Sequence, residues 1–422
     1  MPISAEFESR LNAILPDAIR YFGTPFYLYD ERGIAETLQQ INATFADLRF
    51  REFFAVKALP NPRMLSLIAE HGAGFDCGSL PDLSLARQAT AAGADIIFSS
   101  NNTTREEFTA ARELGALINV DDIALLDKLG ATPDALCFRL NPGALRLSGG
   151  SSVESYDQKF GMRPDQLLEA CEWARRRGVR HLGLHAMVVT NQLSPEVHLC
   201  TLSFLLDTAA WLAKAAAIRI DFVDVGGGLG IPYRPGEPAF DLAGFGASVR
   251  ELINDWTTTE GLEAPALFLE AGRYVTGPHG VLVTRVINYL RKWRNFAGVD
   301  AGISAMIRPA LYEHAYHHIS VFQPDSAQTE VVDVVGSMCE NNDKLATARE
   351  LPPLRVGNIL CMHDVGAHGH AMGFTYNNRL RPKELLLRAD GSVELIRRAE
   401  TDIDHFATLT TSPEVLRPAV IS

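Results

Sequence analysis

The sequence predicts an α/β protein: a (β/α)8 TIM-like barrel followed by a second, mainly β domain. From about residue 50 to 275, short β-rich runs alternate with longer helical patterns, as in a parallel sheet wound by helices. The runs number eight, the count that closes such a sheet into a barrel. After residue 275 strands separated by turns take over.

The elements follow in order. "PFYLYD" (25–30) is a strand ahead of the barrel pattern, and residues 1–30 are expected to contribute to the β domain. The barrel is expected over 31–275, with strands "FFAVK" (53–57), "GFDC" (74–77), "IIFSS" (96–100), "LINVD" (117–121), "CFRLN" (137–141), "LGLHAM" (182–187), "FVDVGG" (222–227) and "LFLEAG" (267–272). Amphipathic stretches such as Arg63–His71, Leu80–Ala92 and Ser194–Ala217 lie between them. The β domain, 276–422, holds "GVLVTRVINYLRKW", "TEVVDVVGS", "NILCMHDV" and "KELLLRADGSVELIRR", the last a hairpin around Asp390-Gly391. No internal repeat or low-complexity segment interrupts the pattern.

Composition sets the class. A chain of 422 residues exceeds one ordinary core, so two domains are expected. A net charge of −12 argues against nucleic acid or an anionic membrane as partner. The N-terminal "MPISAEFESRLNAILPDAIRYFG" lacks the basic and apolar regions of a signal peptide. The longest apolar stretches read as too short to span a bilayer. Six scattered cysteines without a C-x-x-C pair fit reduced cytoplasmic thiols. Twelve histidines include no H-E-x-x-H, so no metal site is expected.

In a barrel, function sits at the C-terminal strand ends. Here those ends read Lys57, Asp76 with Cys77, Ser100 with Asn101, Asp121, Asn141, His185, Gly226-Gly227-Gly228 and Glu270, a polar and titratable set. The glycines of "DVGGGLGIPY" follow the seventh run, where backbone N–H groups can close around a phosphate. Glu270 can hold a protonated ring nitrogen, and Arg273 offers a fork for phosphate or carboxylate. Lys57 ends an apolar run; a lysine desolvated there has a depressed pKa and can form a Schiff base. Together these are what pyridoxal 5'-phosphate needs, although a sugar-phosphate aldolase barrel uses the same residue types. Each has a plainer alternative: a tight turn for the glycines, structural ion pairs for Glu270 and Arg273, a solvated amine for Lys57.

Taken as a set, "FAVKALPNP", "GFDCGSLPDL", "KFGM", "LGLH", "DVGGGLGIPY", "LEAGR", "MIRPALYEHAYHHI", "VVGSMCENNDKLA" and "GAHGHAMGFTYNNRLRP" resemble the fold-type III pyridoxal-phosphate decarboxylases, above all the diaminopimelate decarboxylases. The match runs from about residue 22 to 400. The resemblance implies a homodimer with shared active sites, acting on a small amino-acid substrate. It implies Lys57 as the Schiff-base lysine, with Asp76, His185, Thr190, Gly226, Gly227, Gly228, Glu270, Gly272, Arg273 and His368 around the cofactor. Arg273, Arg308, Tyr312, Glu340 and His368 would meet substrate, with Arg308 on a distal carboxylate. Cys339 would donate a proton across the dimer interface.

Some positions depart from the family pattern. Where the family reads H-x-H-I-G-S, this chain has "HAMVVTN": Met187 replaces the ring-stacking histidine and Thr190 the phosphate-binding serine. Ala271 stands for a proline, and His368 for the tyrosine of G-A-Y, introducing a group able to titrate. The leading expectation is decarboxylation of meso-diaminopimelate to L-lysine. The alternatives are a decarboxylase for D-lysine, D-ornithine or a carboxylated siderophore or antibiotic intermediate, an amino-acid racemase on the same barrel, and a non-enzymatic cofactor carrier.

Overall fold

The computed structural model describes residues 3–89, 93–147 and 150–412. Ser4 caps α1 (Ala5–Phe22) by accepting a 3.0 Å hydrogen bond from the Phe7 amide. Phe7, Leu11, Leu15 and Ala18 form the buried stripe of this helix. Strand β1 (Phe26–Asp30) and α2 (Glu31–Thr44) follow. The barrel then opens with β2 (Phe50–Ala55), α3 (Pro62–Glu70), β3 (Gly74–Cys77), α4 (Leu80–Ala89), β4 (Ile96–Ser100), α5 (Arg105–Glu113), β5 (Leu117–Val120) and β6 (Ala135–Arg139). A hairpin, β7 (Ala144–Arg146) with β8 (Ser152–Glu154), intervenes before α6 (Pro164–Arg176). The barrel resumes with β9 (His181–His185), α7 (Glu196–Ala216), β10 (Phe222–Asp224), α8 (Leu242–Glu260) and β11 (Ala266–Leu269), and closes where β11 pairs with β2.

Strand alternation divides the side chains. Phe54, Phe75, Phe98, Ile118, Phe138, Leu184, Val223 and Leu267 belong to the large core under the helices. Residues of the other parity point into the barrel. Phe222 stacks on Phe268 with centroids 4.8 Å apart, beside Phe53. Gly183 gives this layer room, since a Cβ there would stand 1.9 Å from the Phe222 ring. Further along the same parity come Asp76, Ser99, Asn119, Arg139, His185, Asp224 and Glu270, so the apolar plug carries a polar rim.

Beyond a short helix, α9 (Gly272–Thr276), the chain forms β12 (Gly280–Arg291), β13 (Asn295–Val299), α10 (Arg308–Leu311), β14 (Ile319–Val321), β15 (Glu330–Val335), β16 (Lys344–Leu351), β17 (Ile359–Met362), β18 (Lys383–Leu387), β19 (Val393–Arg397) and α11 (Asp402–Phe406). The main path of this nine-stranded sheet is β16-β15-β13-β12-β1-β18-β19, with β17 joining β12 and β14. Strand β1 lies inside the sheet, antiparallel to β12 and parallel to β18. Both its faces are covered: Phe26 and Leu28 pack with α1, Val281, Val283, Leu385 and Leu387, while Tyr27 and Tyr29 join the barrel-side core.

The segment after Lys57 is stitched to this sheet. Asn61 caps α3 through the Arg63 amide and donates to Glu384 at 3.1 Å, and Arg397 donates to the Pro60 carbonyl at 2.9 Å. Tyr29 donates to the other oxygen of Glu384 at 2.6 Å. One expectation needs correction here: α7, with 21 residues, is long and apolar enough by length and composition to cross a membrane. Its apolarity has a local use, because Leu202, Leu205, Leu206, Ala209 and Leu212 pack into the barrel core.

Candidate active site

Lys57, expected as the last residue of its strand, lies two residues beyond the strand's end. Strand β2 stops at Ala55, and Val56–Ala58 form a turn of 3-10 helix that lifts the amine to the mouth of the barrel. Register places Ala55 opposite Asp76, and Lys57 Nζ reaches Asp76 Oδ2 at 3.3 Å. The lysine side chain keeps 60% of its exposure whereas the aspartate keeps 2%. This reverses the expected pKa. Asp76 first, then Glu270, strengthen the hold of Lys57 on its proton more than burial weakens it, so the pKa is raised rather than depressed. Asp76 itself is pushed up to about 7 by burial and by the nearby Glu270.

Glu270 follows β11 directly. His185 Nε2 approaches it at 3.5 Å and the Ser99 hydroxyl donates to it at 3.4 Å. Burial opposes its charge, yet His185, Lys57 and Arg139 prevail and hold the carboxyl at about 2. Among the described residues, neither nitrogen of His185 has a hydrogen-bond partner, and nor does Asp76 Oδ1. His185, Asp224 and Glu270 bring potential ligand atoms within 4.8 Å of one another, a spacing that a metal ion could also use.

The glycine run crosses the mouth from the neighbouring strand. Gly226 and Gly228 have φ of 67° and 91°, which side chains disfavour. A Cβ on Gly227 would lie 2.3 Å from the Glu270 carbonyl oxygen, and one on Gly228 would lie 2.4 Å from that of Val189. Gly272 starts α9 against Ala55 and Ala58, with no room for a side chain. Arg273 donates to the Tyr233 hydroxyl.

These residues enclose a cavity of about 350 Å3, lined by Lys57, Met187, Thr190, Gly227, Gly228, Glu270, Gly272, Arg273, Arg308, Tyr312 and His368 among others. His368, with φ 55°, donates its backbone N–H to the Ala58 carbonyl at 2.9 Å. Its expected titration is corrected: burial, then Arg273 and Arg308, push its pKa down to about 3, so it is neutral at physiological pH. A second cavity of about 530 Å3 shares Lys57, Met187 and Thr190 and adds Ser99, Asn101 and Arg139.

The model of the pyridoxal-dependent decarboxylase pyridoxal-binding domain matches residues 31–277. The chain belongs to that family. Protein TabA of Pseudomonas amygdali pv. tabaci is 42% identical over 419 residues, 99% of each chain. The diaminopimelate decarboxylase of Methanothermobacter thermautotrophicus is 35% identical over 395 residues, 91% of each chain. A crystal structure of diaminopimelate decarboxylase from M. jannaschii in co-complex with L-lysine superimposes with TM-score 0.86 over 95% of each chain, at 28% identity. The protein is therefore a pyridoxal-phosphate-dependent carboxy-lyase of the (β/α)8 barrel and β-domain type.

The cavity fits the family's cofactor on its own terms. A glycine cradle that a Cβ would fill, an arginine, a primary amine and a buried carboxylate share one chamber, and buried polar atoms of His185 and Asp76 have no hydrogen-bond partner among the described residues. Four expected residues lie elsewhere. Cys339 and Glu340 are exposed on the β15–β16 loop, outside the cavity wall, with the Cys339 amide held by Asn377 at 2.8 Å. Cys77 and Asn141 are strand-end residues with other work. Cys77 faces the outer core, and Asn141 ties down the segment that follows β8 by donating to the Ser155 and Phe160 carbonyls.

Three residues near the site escaped the sequence reading. Arg139 ends β6 two residues before the expected Asn141 and pairs with Asp121 at 3.4 Å. Tyr233, the last letter of "GGGLGIPY", touches Arg273 and underlies Arg308 at 5.2 Å. His317 stands behind Arg308. Inward parity would have found Arg139; the other two become visible only in three dimensions.

Proposed function

We propose that this enzyme decarboxylates meso-diaminopimelate to L-lysine, in lysine biosynthesis. The observation that carries the reading is a second arginine, Arg308, with Tyr312 beside it, on the same cavity as Lys57 and Arg273. One guanidinium suffices for a cofactor phosphate, so the other is available for a distal carboxylate. The roles follow from position. Lys57 anchors the cofactor covalently, with Asp76 as the nearest acceptor for its proton. Gly226, Gly227, Gly228, Gly272, Thr190 and Arg273 hold phosphate, and His368 contributes a neutral imidazole at the cavity wall. Glu270, beside His185 and accepting from Ser99, would keep a ring nitrogen protonated.

Pyridoxal phosphate, when bound, supplies the electron sink for the pair released as the Cα–carboxylate bond breaks. The protein's own residues do the rest. Arg308 and Tyr312 fix the distal end of the substrate, so that the carboxylate to be lost is the one nearest Lys57. Met187, packed within 4 Å of where side chains on Gly226 and Gly227 would stand, excludes water from one wall with its thioether. Cys339 of the partner subunit returns a proton to Cα, and Glu340 of the partner subunit meets the substrate amine. That assignment makes the functional unit a homodimer; a cytoplasmic setting, residues 31–275 as the cofactor barrel and 276–422 with 1–30 as the β domain belong to the same proposal. The proton donor's place on an exposed loop agrees with this arrangement.

Met187 and His368 in the cavity wall, together with the 42% identity to TabA, favour a second reading: the same chemistry on D-lysine, D-ornithine or a pathway-specific amino acid. Product analysis with meso-diaminopimelate beside D-lysine and D-ornithine separates the two. Absence of lysine from the first substrate would sink the main reading.

A further inference from the structure

We infer that His317 is a positioning residue for Arg308, fixing the plane in which that guanidinium meets a substrate carboxylate. The inference rests on the role proposed above for Arg308. His317 does not line the cavity; it is buried behind Arg308, with 1% of its surface exposed. Its Nδ1 lies 2.9 Å from the His363 carbonyl oxygen, which can only accept, so the proton sits on Nδ1. Nε2 then carries a lone pair and accepts from Arg308 Nε at 3.4 Å. A carbonyl on one side and a guanidinium on the other admit a single tautomer.

The geometry of arginine makes this tether useful. Its five N–H groups share one plane, so holding Nε sets the direction of both terminal nitrogens. Tyr233 supplies a second restraint, its ring 5.2 Å from Arg308 Cζ and edge-on to His317 at 4.8 Å. The support is itself rigid. His363 donates its amide to the His318 carbonyl at 2.8 Å and pairs its ring with Ser320 at 2.8 Å, while Arg349 donates to the His317 carbonyl at 2.9 Å. A second proton on His317 would set N–H against N–H; burial first, then the cations Arg308, Arg273 and Arg349, push its pKa down to about 3. The neutral acceptor is therefore the form present.

The test compares holoenzymes carrying His317→Phe and His317→Gln. Phenylalanine fills the space without an acceptor, whereas glutamine can accept from Arg308 and donate to His363. The substrates are meso-diaminopimelate and D-lysine, which is the same molecule without the distal carboxylate; where D-lysine turns over too slowly, its inhibition constant is read instead. His317→Phe should raise KM for meso-diaminopimelate roughly tenfold, the effect of weakening one charged hydrogen bond, with kcat little changed and D-lysine unaffected. His317→Gln should recover most of the loss. Equal losses on both substrates, no loss on either, or a glutamine variant as poor as the phenylalanine one would overturn the inference. A wild type inactive on meso-diaminopimelate would refute the substrate reading alone. Crystal structures then decide about His317: Arg308 displaced from Tyr233 in His317→Phe upholds the inference, and an unmoved Arg308 overturns it.

Discussion

Glu384 ties the segment after Lys57 to the β domain, and its removal has a calculable effect. The residue is 1% exposed. It accepts from Tyr29 at 2.6 Å and from Asn61 at 3.1 Å, and it forms an ion pair with Arg397. In Glu384→Ala, the Tyr29 hydroxyl loses its acceptor and the Asn61 amide loses one of two, keeping the Ile396 carbonyl at 3.3 Å, each loss costing about 1 kcal/mol at the low end. A broken buried pair costs about 3 kcal/mol when both partners are dry. Arg397 keeps 34% of its exposure, so solvent recovers part of that and about half is the fair figure. The expected total is about 3–4 kcal/mol. Glu384→Gln keeps one carbonyl acceptor and the shape, so it should lose less. Urea unfolding followed by circular dichroism reads both, with the visible absorbance of bound cofactor reporting on the Lys57 segment. The sign with pH follows as well. Burial opposes the charge of Glu384, but His370, Arg397 and Tyr29 outweigh it and hold its pKa below 4.5. Its contribution is therefore present above the unfolded pKa and is lost as pH falls through the lower folded value. The difference between wild type and Glu384→Gln should shrink only below about pH 4.5. A Glu384→Ala midpoint equal to that of wild type, or a glutamine variant weaker than alanine, would refute the reasoning.

Lys57→Ala should abolish the visible absorbance of lysine-bound cofactor, checked by a spectrum of the purified protein; a persistent yellow band would remove Lys57 as the anchor. Gly227→Ala places a Cβ 2.3 Å from the Glu270 carbonyl oxygen. This overpacking should weaken cofactor binding by about 1–3 kcal/mol, read by titrating the apo-protein. Asp76, raised to about 7 by burial first, binds its proton more tightly folded than unfolded, so its contribution is fully present below its unfolded pKa and lost as pH rises through 7. The melting temperature of apo wild type relative to Asp76→Asn should accordingly fall between about pH 4 and 7, and a pH-independent difference would contradict it.

The barrel was legible because its signal is local. β-rich runs of four to six residues recur between helical stretches, and "GFDC" and "IIFSS" are strands at the expected boundaries. Other expected strands ran long at their C-terminal ends, where "FVDVGG" stops at Asp224 and "LFLEAG" at Leu269. The residues that follow are apolar or small and look extended, but glycine conformations at 226 and 228 and the helix start at Gly272 take the chain out of the sheet. That overrun misplaced Arg139, which ends its strand two residues before Asn141. Tyr233 and His317 were illegible for another reason: each acts through an arginine distant in sequence, and no spacing rule connects position 317 with 308 and 363.

The charge of Lys57 shows where sequence reading stops. Its immediate neighbours, "FFAV" and "AL", are apolar, and a desolvated amine was the natural expectation. The group that sets its protonation is Asp76, one strand away, brought within 3.3 Å because β2 and β3 pair Ala55 with Asp76. Shifting that register by one residue would turn Asp76 to the outer core and leave the lysine to burial, Glu270 and Arg139. The protonation state is therefore a property of strand pairing, and under the role proposed for Lys57 the same pairing bears on the chemistry. A lysine held as an ammonium beside an aspartate near neutrality must give up its proton before it can bond to an aldehyde, and the nearest acceptor is the residue that stabilises it. Asp76→Asn removes both effects at once. It should lower the pKa of Lys57 while slowing any step in which the lysine proton has to leave, so cofactor capture by the apo-variant should become less dependent on pH yet slower at its optimum. Faster capture at every pH would mean that Asp76 only restrains the amine and accepts nothing from it.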